Sequence, residues 1–380
     1  MPVTTRRRTP GSASVTRYPV KHYPHRYTKT KKRLCAKRKI PELGFENLGN
    51  TCWMNSTLQV FLRLSMAHKL MQHTRFDDPK TLTLSKSLAK LFTGDHHQGR
   101  LYPMLNLNVT TEIRKHCTDH YHLTDGIQHD SDEFLQRLVL IEPFASATEF
   151  IHVEKIYDPR DPIVPHTVQQ VFDKNRSEIR EKGNYTEFLK PLEQNKLTIT
   201  LENILRLTLF DKDRQPLNTL EQCLDQYVQV VKPEVEMEGK DHFVKQAEFV
   251  SWPEVLVIEL NRFFSEDVFD ETGANIYITK GKRTSKKVQM TVAKHFVNVP
   301  NILRTHEQEY RLHGFVTHLG ETLHSGHYIA NVCKNRNKHW YEYSDVSVED
   351  LDEDHLHGYD EHFNTNTQVD GRYILVYVKL

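Results

Sequence analysis

The chain has 380 residues, of which 38% are hydrophobic, enough apolar material for one large or two medium cores. No run approaches the ~20 apolar residues of a membrane span, and the N-terminus lacks an apolar signal core. A soluble intracellular protein, cytoplasmic or nuclear, is therefore expected. Five scattered cysteines (Cys35, Cys52, Cys117, Cys223 and Cys333) with no CxxC pair argue against a disulfide framework and a cysteine-rich zinc site.

In chain order, the first unit is a basic tail. The net charge of +1 conceals it: residues 1–41 hold thirteen of the 51 Lys and Arg and no Asp or Glu, leaving 38 basic against 50 acidic side chains in residues 42–380. Rich in Thr, Ser and Pro and poor in large aliphatics, residues 1–42 are expected to be disordered. The stretch KTKKRLCAKRK suits a nuclear import factor or a nucleic-acid or membrane-surface contact, and equally a plain solvated tail. Pro10, Pro19 and Pro24 spoil the amphipathic helix of a mitochondrial presequence.

Helical patterns come next. Met54, Leu58, Phe61, Leu62 and Leu70 recur at 3.6-residue spacing behind Asn50 or Thr51 as cap. A second helix is expected over Leu82–Phe92. A third covers Asp130–Leu140, where Asp130 with Glu133 suggests a capping box and Phe134, Leu135, Leu138 and Val139 form the stripe. Residues 150–245 are mixed and polar, with no assignable topology. Strands follow: Glu254–Leu260 is an almost continuous apolar run, and Tyr310–His318, His327–Lys334, His339–Asp345 and Arg372–Leu380 are rich in aromatic and β-branched residues. Helices first and strands later indicate an α+β fold.

Three motifs carry chemistry. Cys52, in NLGNTCWMNSTLQ, opens a helix, where the dipole and free backbone N–H groups favour thiolate and offer donors to an oxyanion; Asn47 could add a side-chain amide. By itself such a cysteine is more often only core. His327 follows Gly326 in GETLHSGHYIANV, and a glycine there lets another backbone pass close. Gln128, His129 and Asp130 in IQHDSDEFL precede a capped helix, which alone would explain Asp130. The 23 histidines are dispersed, and the pair His96–His97 has no matching ligand pair.

Together and in this order, these motifs resemble the ubiquitin-specific protease family of papain-like cysteine peptidases. NLGNTCWMNSTLQ resembles its cysteine box, with Trp53 for the usual Tyr, and IQHDSDEFL its second box. WPEVLVIELNRF carries Asn261 for the usual Lys, YRLHGFVTHLGETLHSGHYIANV with WYEYSDVSV resembles the histidine box, and RYILVYVKL the closing strand. TLEQCLDQYV resembles the segment before the fingers, which makes Cys223 helix core. The resemblance covers about residues 43–380 and is weak over 145–215.

That resemblance implies a catalytic domain over residues 43–380, with a helical thumb (about 43–145), fingers (about 150–250) and a β-rich palm (about 250–380). By the same resemblance, Cys52 would attack the carbonyl of ubiquitin's C-terminal glycine, with His327 as general base and acid and Asn47 at the oxyanion. Gln128, His129, Asp130, Gly326 and Tyr328 would hold the extended tail, the glycine leaving a slot that only a diglycine fits. The third triad member stays open. Ser344 stands where relatives usually carry Asp or Asn and Asp345 follows it, so either Ser344 orients His327 with Asp345 assisting, or Asp345 does so directly; the position favours Ser344. No cofactor or structural zinc is expected, since the CxxC pairs of many relatives are missing. Ubiquitin and ubiquitinated proteins are the expected partners, with room for an activating partner. The alternatives are a silent ubiquitin-binding scaffold and a protease for a ubiquitin-like modifier.

Overall fold

This computed structural model describes residues 43–67, 69, 79–93, 103–123, 126–190, 195–231, 242–267, 277–280, 283–286, 288–293, 295–305, 307–322, 325–334, 339–351 and 371–380. The basic tail, Leu70 and the pair His96–His97 lie outside the described residues.

The first half is helical: α1 (Cys52–Phe61), α2 (Pro79–Thr93), α3 (Pro103–Tyr121), α4 (Ser131–Leu138) and α5 (Phe144–Thr148). There follow β1 (Phe150–Tyr157), α6 (Pro165–Lys182), β2 (Asn184–Leu189), β3 (Asn195–Glu202), β4 (Leu205–Thr208), α7 (Leu220–Val228), β5 (Val244–Ser251), β6 (Val255–Asn261) and β7 (Phe263–Asp267). The rest is β8 (Tyr277–Lys280), β9 (Arg283–Lys286), β10 (Val288–Val292), β11 (Ile302–Arg304), β12 (Glu309–Thr322), β13 (Ser325–Lys334), β14 (His339–Ser344), β15 (Ser347–Leu351) and β16 (Arg372–Lys379).

An eight-stranded sheet runs β15-β14-β13-β12-β16-β6-β4, with β11 beside β12. A four-stranded sheet runs β2-β3-β1-β5, and β7 with β10 and β8 with β9 form ribbons. The large sheet is buried on both faces, which explains why apolar residues fill both sides of β6 from Val255 to Ile258. Val255 and Val257 join Ile374, Val376 and the helices α1, α2 and α4 on one face, whereas Leu256, Ile258 and Leu260 join Leu375, Tyr377 and α7 on the other. In the smaller sheet the period-two pattern survives: Leu197, Ile199 and Leu201 pack under α6, and the residues between them stay half-exposed.

Local chemistry accounts for both ends of α6 and the start of α7. Pro165 starts α6, and Gly183, at φ 79°, closes it by donating its N–H to the Ile179 carbonyl. α7 carries a reciprocal capping box between Thr219 and Gln222, and Cys223 is fully buried on it.

Three expectations are corrected. Asp130 caps α4 through the Asp132 N–H at 3.0 Å, and Glu133 forms no box because it pairs with His129, Nδ1 to Oε2 3.2 Å. The α1 cap Thr51 makes no side-chain cap bond; its hydroxyl accepts from the Leu48 N–H instead. Residues 205–228, inside the span expected to be fingers, belong to the large sheet and its packed helix. α3 has no counterpart among the expected helices: its apolar residues are interleaved with Thr, Lys and His and leave only a weak stripe.

Candidate active site

The chain reaches Cys52 through a tight loop. Gly49 and Asn50 both take positive φ (93° and 53°), and the Asn47 side-chain oxygen gathers the Gly49 and Thr51 N–H groups at 3.0 and 3.1 Å. Asn50 donates to the Gly126 carbonyl at 2.8 Å, tying this loop to the one carrying Gln128, His129 and Asp130. α1, buried along its whole length, packs on β13 and β12, so Cys52 sits at the seam between helices and sheet.

Cys52 is 3% exposed. Burial pushes its thiol up and the nearby Asp345 charge adds to this, while the Tyr328, Trp53 and Cys52 backbone N–H groups pull the other way. The helix start therefore acts as expected on the thiolate, but desolvation outweighs it. Among the described residues, no hydrogen bond joins Cys52 to His327.

His327 lies on β13 opposite Leu319 of β12. Its Nε2 is 2.9 Å from the Ser344 hydroxyl at the end of β14, so Nδ1 is the ring nitrogen not engaged by that contact. The next residue turns elsewhere. Asp345, in the two-residue turn to β15 with φ 49°, accepts from Asn47 Nδ2 at 2.9 Å and from Asn55 Nδ2 at 2.8 Å. Its backbone carbonyl accepts the Phe45 N–H at 2.8 Å, and Gly44 lies so close that a Cβ would meet this carbonyl at 2.2 Å. Asp345 thus fastens the sheet to the loop before Cys52.

The expected tail-binding residues surround this seam. Gly326 has φ 142°, and a Cβ there would meet the Leu319 carbonyl at 2.6 Å and His318 Nε2 at 2.7 Å. Tyr328 is 1% exposed, its ring 4.6 Å from that of His318. Trp53 packs its ring edge-on to His129 at 5.5 Å and to Phe134 at 5.8 Å. The Gln128 Nε2 is buried without a hydrogen-bond partner among the described residues.

Asp130 belongs to a cluster that sequence reasoning missed. Tyr373 Oη is 2.9 Å from Asp130 Oδ2 and 3.2 Å from Glu259 Oε1. Glu259 also pairs with Arg206, Oε2 to Nε 2.7 Å, and Arg206 Nη2 reaches both Asp132 oxygens at 3.2 Å. Burial, with the neighbouring carboxylates, raises Asp130 to about 7 and Glu259 to about 8. The available signal was a lone carboxylate inside the apolar run VLVIEL.

A cysteine at a helix start, packed against the strand whose imidazole is held by a hydroxyl, suits a thiol-dependent hydrolase built across a helical layer and a sheet. Comparison with known proteins narrows this class. The chain belongs to the ubiquitin carboxyl-terminal hydrolase family, which it matches over residues 43–377. It is 29% identical over 306 residues to ubiquitin carboxyl-terminal hydrolase 36 of Drosophila mojavensis, covering 76% of this chain and 23% of that protein. It is 24% identical over 372 residues to ubiquitin C-terminal hydrolase 12 of Arabidopsis thaliana, covering 90% of this chain and 30% of that protein. The chain thus spans less than a third of these relatives. The fold is similar to that of the SAGA DUB module of Ubp8, Sgf11, Sus1 and Sgf73 bound to monoubiquitin, with a TM-score of 0.59 at 19% identity over 93% of this chain and 72% of that one.

Proposed function

We propose that this protein is a deubiquitinating peptidase that cleaves the peptide or isopeptide bond after the C-terminal glycine of ubiquitin. The observation that carries the reading is the His327–Ser344 contact at the seam that also holds Cys52. His327 Nδ1 takes the Cys52 proton, and Sγ attacks the glycine carbonyl carbon. The oxyanion is met by backbone N–H groups at the start of α1 and by the second amide hydrogen of Asn47, the first being engaged by Asp345. The C–N bond breaks as the imidazolium protonates the leaving amine. Water, deprotonated by His327, then hydrolyses the thioester and returns the thiol.

Asp130, Gln128, His129, Gly326 and Tyr328 line the path of the substrate tail in this reading. The unpartnered Gln128 amide supports it, as a buried donor suited to a peptide carbonyl. The raised thiol and the lack of a Cys52–His327 hydrogen bond suit a resting state that aligns when substrate, or an activating partner, closes the seam. The helical layer suits the thumb, the four-stranded sheet the fingers, and the large sheet, with β4 and α7 added to it, the palm. No helix of the described residues is long and apolar enough to cross a membrane. The four described cysteines are free, which suits a reducing cytoplasmic or nuclear compartment.

The test is capture by ubiquitin bearing a C-terminal electrophile, with turnover of a fluorogenic ubiquitin conjugate. Both are expected in the wild type and absent in Cys52→Ala. Wild type that binds ubiquitin but neither labels nor turns over would make the protein a ubiquitin-binding scaffold. Labelling only by a ubiquitin-like modifier ending in diglycine would change the client.

A further inference from the structure

We propose that Glu259 and Tyr373 are positioning residues for substrate binding: together they carry a shared proton that keeps the Asp130 carboxylate fixed and available to the substrate's extended tail. The inference rests on the reading of Asp130 as a tail acceptor, and goes beyond it by assigning a role to two residues in the core behind the cleft.

Glu259 occupies a place in β6 that alternation assigns to the apolar face carrying Val255 and Val257, yet it is a carboxyl group and only 8% exposed. Arg206, on the parallel neighbour β4, partners it on one side, but the same guanidinium also serves Asp132. Asp132 and Glu259 therefore share a single guanidinium, Asp130 adjoins them through Tyr373, and Glu202 and Glu133 add negative charge nearby. Glu133 is itself paired with His129. The remaining neighbours, Tyr328 and Tyr373, are neutral phenols. Such a cluster holds a proton at neutral pH, because ionising all three buried carboxyls beside one cation is opposed by desolvation and mutual repulsion.

The place of that proton decides what Asp130 presents. Tyr373 has one hydrogen and two carboxyl neighbours, Asp130 at 2.9 Å and Glu259 at 3.2 Å. When Glu259 carries the proton, it donates to the phenol oxygen and the phenol donates to Asp130. The Asp130 oxygens are then held by Tyr373 and by the Asp132 N–H, which leaves further lone pairs for N–H donors of the substrate tail. When Glu259 ionises, it competes for the phenol hydrogen and repels Asp130. Asp130 then loses its fixed orientation, and tail binding weakens while Cys52 and His327 are untouched.

The experiment measures kcat and KM with a fluorogenic ubiquitin conjugate from pH 6 to 9 for the full chain, Glu259→Gln and Tyr373→Phe. Thermal unfolding is recorded for each, and affinity for free ubiquitin is measured in the Cys52→Ala background. Gln keeps a donor for Tyr373 but cannot ionise. KM of the wild type should rise severalfold from neutral to alkaline pH, and Glu259→Gln should abolish that rise. Tyr373→Phe should raise KM about tenfold at all pH values, with kcat within twofold. Should Glu259→Gln fail to fold, Tyr373→Phe alone decides. A folded Glu259→Gln with the wild-type KM profile, or a Tyr373→Phe that loses kcat and keeps KM, overturns the inference and leaves the peptidase reading standing. A wild type with no Cys52-dependent turnover and no ubiquitin binding sinks both.

Discussion

The two oxygens of Asp345 go to two different amides, Asn47 and Asn55, whereas the neighbouring Ser344 hydroxyl meets His327. Removing each side chain should therefore have a different signature. Ser344→Ala takes one hydrogen bond from the imidazole that becomes charged in the proposed reaction, worth roughly ten- to a hundredfold in kcat, with little change in thermal stability. Asp345→Ala strands the Asn47 and Asn55 amides and should cost about 2 kcal/mol or more of stability as well as activity. Parallel kinetics and thermal unfolding check this. A Ser344→Ala protein as active as the wild type would move the orienting role to Asp345.

At the scale of elements, the hairpin of β12 and β13 sets where the imidazole stands. His327 pairs with Leu319, and the strands approach so closely at Gly326 that a methyl group would press on the Leu319 carbonyl at 2.6 Å. The φ of 142° adds strain for any other residue. Gly326→Ala should accordingly lower stability by ~1–3 kcal/mol and depress kcat/KM more than unfolding alone explains, since the residue displaced next is His327. Equal kcat/KM after correction for the folded fraction would show that the hairpin tolerates the shift.

Across the whole molecule, the buried carboxyls couple folding to pH. A folded-state value raised above the unfolded one means that the folded protein binds the proton more tightly. Stability is therefore lost as pH rises from the ordinary carboxyl range towards about 8, by at most ~1.4 kcal/mol per pH unit for Glu259. In Glu259→Gln that slope should shrink, so the Tm difference between variant and wild type should move in the variant's favour from pH 5 to pH 8. A constant difference would mean that Glu259 ionises alike in both states.

Much of this was legible along the chain because it is local. The 3.6-residue stripe of α1 and the aromatic and β-branched runs of β12, β13, β14 and β16 are properties of neighbouring residues, and the three motifs announced the family. What tertiary structure decided depends on segments far apart. Cys52 and His327, 275 positions apart, come to one seam only because α1 packs on β13. Spacing favoured Ser344 over Asp345 but left both open; in the fold Ser344, at the end of β14, meets the imidazole and Asp345, in the turn after it, meets the loop before Cys52. The four-stranded sheet pairs β1 with β3 and β5 across long stretches of chain, and its half-polar strands gave no continuous apolar signal. Glu259 reads as an oddity in an apolar run until folding brings Arg206, Tyr373 and Asp130 around it. A pattern records which face of an element is apolar, but only packing in space determines which charges share that face and which of them keeps its proton.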